Sequence, residues 1–109
     1  MANPDVSRLL ASVPTGLWIG GEERTAASTF DVLNPATDEV LTSVANATAA
    51  DAIAALDAAC AVQDSWAATP ARERGEILRT VFEMIIDRAD EFATLMTLEM
   101  GKVLPESMG

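Results

Sequence analysis

Apolar positions change their rhythm partway along this chain. Over the first 45 residues they come in short runs broken by glycine, proline and small polar residues, and from Thr48 onward they recur at helical intervals. In "GLWIGGEERTA" the apolar trio Leu17–Ile19 precedes Gly20-Gly21 and a polar return. That is the pattern of a short strand, a turn that wants positive φ, and a returning strand. "TFDVLNPATDEVLTSV" predicts two more strands, Phe30–Asn34 and Val40–Val44, joined by Pro35–Glu39. Pro35 cannot donate to a ladder, and Asp38 tolerates a left-handed turn conformation. Residues 16–45 thus read as short antiparallel β structure, preceded by a loose leader, residues 1–15, with one helical turn around Val6–Ala11.

From Thr48 the helical signals dominate. Thr48 with Asp51 three positions on forms a capping box with the shorter acid, and Ile53, Leu56 and Cys60 follow at helical spacing among alanines. The expected helix runs from Ala49 to Ser65; its stripe is thin, so it suits close packing against a neighbour. A second start follows, with Thr69 as N-cap and Pro70 at the first helical position. Leu78, Phe82, Ile85, Ala89, Phe92 and Met96 then recur at helical spacing, widened by Ile77, Val81, Ile86 and Leu95. A helix to Met100, closed by Gly101 in a left-handed conformation, would be about 45 Å long. Either it breaks in "DRADE", Asp87–Glu91, or it projects into a larger body. The closing stretch, "LMTLEMGKVLPESMG", reads as the end of one helix and the opening of the next.

Composition narrows the functional classes. The 109 residues suffice for one small domain, but twenty of the apolar residues are alanine and the larger ones cluster between Ile77 and Met100. The formal net charge is −10, and Arg72, Arg74 and Arg79 are interleaved with Glu73, Glu76 and Glu83. Nucleic-acid binding is therefore not expected. No apolar run approaches the roughly twenty residues needed to span a membrane, and no secretory signal is visible, so a cytoplasmic location is expected.

Chemistry is sparse. Cys60 is the single cysteine and there is no histidine, which leaves no disulfide framework, no thiolate–imidazole pair and no histidine zinc site. Asp57 and Asp64 flank Cys60, and acidic neighbours and burial both oppose thiolate formation, so it reads as a small core residue. "WIGGE" and "EMGK" match neither G-x-G-x-x-G nor a P-loop. Glu99 reads as a last-turn surface acid. Met84, Met96, Met100 and Met108 read as core filling, and Trp18 and Trp66 as packing anchors.

Four stretches in register, "LWIGGE", "FDVLNPATDEVL", "WAATPARERGEILR" and "LMTLEMGK" with its continuation L-x-E-S-x-G, give the chain a resemblance. From Leu17 to Gly109 it resembles the amino-terminal segment of the NAD(P)-dependent aldehyde dehydrogenase superfamily, with "LMTLEMGK" most similar to the succinate-semialdehyde dehydrogenase branch. The resemblance implies an α/β parent of several hundred residues. This segment, residues 1–109, would be a single incomplete unit of short antiparallel strands followed by two or three α-helices, the amino-terminal part of the cofactor-binding domain. It implies a homo-oligomeric oxidoreductase that uses NAD or NADP. A cysteine thiolate attacks an aldehyde such as succinate semialdehyde, hydride passes to the nicotinamide, and a glutamate-activated water releases the acid. The family's cysteine, glutamate, oxyanion asparagine and cofactor loop match no position here, Cys60 and Asn34 included. No catalytic, cofactor-binding or metal residue is thus expected in residues 1–109, and these residues alone are expected to be inactive and to bind no cofactor. Asn34-Pro35, Glu99, Gly101 and Lys102 match family motifs with structural roles. Where the family usually has glycine, this chain has Asp38. The competing expectations are a small helical interaction module using the Leu78–Met96 stripe, and a segment that modulates a full-length copy by occupying its docking surface.

Overall fold

The computed structural model describes residues 4–109. In chain order the elements are α1 (Val6–Ser12), β1 (Leu17–Ile19), β2 (Glu22–Arg24), β3 (Ser28–Leu33), β4 (Val40–Asn46), α2 (Ala49–Ala68), α3 (Ala71–Asp87), α4 (Ala89–Met100) and α5 (Leu104–Ser107). Strands precede the long helices, as the hydrophobic pattern predicts.

The strands form two antiparallel hairpins. Gly20 and Gly21 both take positive φ, 64° and 80°, and close β1 onto β2 with Ile19 opposite Glu22. A two-residue turn with both central residues left-handed matches the strand twist, and glycine takes it without strain. In the second hairpin Phe30 lies opposite Val44 and Asp31 opposite Ser43, whose hydroxyl donates to the Asp31 carboxylate at 2.5 Å. The ladder starts at Ser28 and runs to Asn46, longer than the apolar run alone indicates, and its register shifts at Val32/Leu33. The Ala45 N–H donates to the Thr15 carbonyl at 2.7 Å, tying the segment before β1 to the edge of β4.

Helix α2 starts as its sequence dictates. The Asp51 N–H donates to Thr48 Oγ1 at 3.2 Å and the Thr48 N–H donates to Asp51 Oδ2 at 2.8 Å, a reciprocal cap. The helix ends three residues later than expected, and this corrects the expected start of α3. Thr69 closes α2, its N–H and hydroxyl both donating to the Ser65 carbonyl, while Pro70 takes the N-cap position of α3. A threonine hydroxyl that bonds backward to a preceding turn is not free to cap forward.

The long helical pattern breaks at Arg88, which leaves the helical region with φ −112° and ψ 20°. Its guanidinium Nε donates to Glu91 at 2.6 Å, and Asp90 and Glu91 fall in the first turn of α4, where acids suit the positive end of a new helix dipole. Gly101 caps α4 with φ 74°, its N–H donating to the Thr97 carbonyl at 3.0 Å.

Among the described residues the buried apolar ones are Leu9 of α1, Ile19 of β1 and Ala93 of α4, the last 1% exposed. The helical turn expected around Val6–Ala11 is present as α1, capped by Asp5 and anchored by Leu9; the correction is that this part of the leader is not loose. Residues 1–3 of the expected leader lie outside the described residues. The expected packing roles of Trp18, Trp66, Cys60 and the methionines are corrected too. Trp18 is 66% exposed, and Trp66, Cys60, Met84, Met96, Met100 and Met108 are also exposed. For Trp66, Cys60 and Met84 the reason is that α2 and α3 bury no residue.

The dimensions express the same deficit. The radius of gyration is 16.9 Å, where a compact chain of this length has about 13 Å. The accessible surface is 8166 Å², roughly 2,400 Å² above the size-scaling value for a compact monomer of this mass.

Candidate functional site

The densest set of specific interactions is where the β3–β4 connection meets the end of α4. Asn34 organises the connection. Its Oδ1 accepts from the Ala36 N–H at 2.9 Å, its carbonyl accepts from Thr37 and Asp38 N–H at 3.2 and 2.8 Å, and its own N–H donates to the Glu39 carbonyl at 2.9 Å. Asp38 takes φ 58°, the left-handed conformation expected of it. Pro35 projects from this turn onto Gly101, where a Cβ would lie 3.1 Å from Pro35 Cγ. The chain thus uses glycine at position 101 twice: for a left-handed cap and for clearance from a proline.

Beyond Gly101 the chain turns into α5, and Ser107, 6% exposed, is the buried polar residue among those described. Its hydroxyl lies 3.1 Å from Thr97 Oγ1 and donates to the Val103 carbonyl at 3.4 Å. This hydroxyl pair pins α5 to α4. Periodicity did not single it out; the E-S-x-G stretch was its only trace in the sequence. Next to this junction, α1, the second hairpin and α4 enclose an apolar groove of about 120 Å³, lined by Leu10, Val13, Val32, Leu41, Thr42, Val44, Leu95, Leu98 and Glu99. Glu99 is exposed, as expected, at the rim of that groove, and Lys102 is half-buried.

The chemistry these residues support is limited. The groove is smaller than the roughly 300 Å³ at which small-molecule pockets begin. A wider recess of about 380 Å³ lies at Thr15, Gly16, Glu23, Arg24 and Thr29, but the Glu23 carboxylate there already accepts from the Gly16 N–H at 2.8 Å. Cys60 stands exposed on α2, apart from both. Among the described residues no group of three His, Cys, Asp or Glu side chains could hold a metal ion. The Asp51 carboxylate is held below its ordinary range, chiefly by the Thr48 N–H and then by the Thr48 hydroxyl, and that is a helix cap.

Neither glycine motif, Gly20-Gly21 nor Gly101, forms a phosphate cradle. Gly20-Gly21 turns an antiparallel hairpin, and Gly101 closes the carboxyl end of a helix. Phosphate cradles need the amino end, where N–H groups and the dipole's positive pole face the anion. The expected assignment of Asn34, Pro35, Glu99, Gly101 and Lys102 to structural roles agrees with these positions for Asn34, Pro35 and Gly101. No helix among the described residues is long and apolar enough to cross a membrane.

Residues 21–109 match the model of the aldehyde dehydrogenase family. The chain is 56% identical over 70 residues to a succinate-semialdehyde dehydrogenase of Paenarthrobacter nicotinovorans, covering 64% of this chain and 16% of that protein. It is 40% identical over 95 residues to an alpha-ketoglutarate semialdehyde dehydrogenase of Haloferax volcanii, covering 86% of this chain and 19% of that one. Among solved structures it superposes with a TM-score of 0.90 on betaine aldehyde dehydrogenase of Staphylococcus aureus in complex with NAD+, at 33% identity, over 94% of this chain and 21% of that one. The chain spans about a fifth of the length of the relatives it matches.

Proposed function

This chain belongs to the aldehyde dehydrogenase family, and from that membership we propose that it is the amino-terminal part of the cofactor-binding domain of an NAD(P)-dependent oxidoreductase. The parent oxidises an aldehyde that carries a distal carboxylate, succinate semialdehyde foremost, to the corresponding acid. The observation that carries this reading is the 56% identity to a succinate-semialdehyde dehydrogenase. The Haloferax relative supports the substrate class, since its named substrate is also a carboxylate-bearing semialdehyde. NAD or NADP supplies the hydride acceptor when bound, and the reading carries with it a cytoplasmic, homo-oligomeric parent.

Within that parent the described residues have a positioning task. The Pro35–Gly101 contact holds the β3–β4 turn against the end of α4, and the Thr97–Ser107 pair fixes the direction in which the chain leaves α4. Nucleophile, general base and cofactor cradle come from other parts of the parent, and Cys60 takes no part in the chemistry. The test is a transplant: these residues replace the matching segment of the Paenarthrobacter enzyme, and oxidation of succinate semialdehyde is compared with that of an uncharged aldehyde. Retained preference for succinate semialdehyde supports the reading; loss of turnover with every aldehyde in a soluble, folded chimera contradicts it.

A further inference from the structure

We draw no further inference here: the strongest candidate, the exposed apolar stripe along α3 from Ile77 to Ile86, carries nothing because nothing in the structure shows what covers it.

Discussion

Pro35 and Gly101 touch across the junction of the second hairpin and α4, so closely that a Cβ on Gly101 would sit 3.1 Å from Pro35 Cγ. Gly101 also holds φ at 74°. Two separate demands therefore fall on one residue, and they can be separated by mutation. Gly101→Ala should destabilise the chain by about 1–2 kcal/mol from the left-handed backbone alone, with the proline contact adding to it. Pro35→Ala in that background should recover the contact part and not the backbone part. Urea unfolding followed by circular dichroism measures both; equal stability of Gly101→Ala and the native chain would refute the account of this junction.

The α2 cap makes a pH prediction. Asp51 is held below the usual carboxylate range by the Thr48 N–H and hydroxyl, so its folded value lies under its unfolded value of about 3.9. A depressed carboxylate contributes stability that is fully present above the unfolded value and is lost as pH falls through the folded one. Helicity should therefore fall on acidification below about pH 4, and Asp51→Asn should flatten that part of the titration. Thr48→Ala should cost about 1 kcal/mol at neutral pH, as loss of an N-cap does. An acid titration unchanged by Asp51→Asn would assign the transition to other groups.

Ser107 and Thr97 hold α5 in place through a buried hydroxyl contact of 3.1 Å. Ser107→Ala removes it and leaves the Thr97 hydroxyl without that partner, at a cost of about 1 kcal/mol. Since α5 is only four residues long, the loss should appear as local opening. Tryptic cleavage after Lys102 should accelerate in Ser107→Ala, while cleavage after Arg88, upstream of α4, keeps its rate. Equal acceleration at both sites would point to global rather than local loosening.

Gly75 lies inside α3 with nothing within 4 Å of where a Cβ would stand. Gly75→Ala should then stabilise the helix by about 0.5–1 kcal/mol through the unfolded state. A destabilised variant would mean that another surface approaches closely at this point.

How much of this was legible in the sequence depends on whether a feature is local. The left-handed Asp38, the Gly20-Gly21 turn, the Thr48–Asp51 cap and the Gly101 cap each follow from one residue's own conformational preferences, and each is present. A break in "DRADE" was one of two readings, and Arg88 resolves it. The Thr69 hydroxyl has two candidate partners, and the Ser65 carbonyl behind it prevails over a cap ahead. Burial was the least legible property. Trp18, Trp66 and Cys60 have the chemistry of core residues, yet a core residue needs a neighbour as well as an apolar side chain, and among the described residues all three are exposed. The candidate site was legible as motifs, but the meeting of Asn34-Pro35 with Gly101 was not, because contact between distant segments is set by the fold.

The central claim is that these residues position a dehydrogenase without performing its chemistry. Its most direct test is reduction of NAD+ and NADP+ by succinate semialdehyde, measured side by side for the purified 109-residue chain and for the chimera carrying it in the Paenarthrobacter enzyme. The account predicts no reduction by the chain alone, turnover by the chimera, and no change in that turnover on Cys60→Ser. Reduction by the chain alone, abolished by Cys60→Ser, would contradict it.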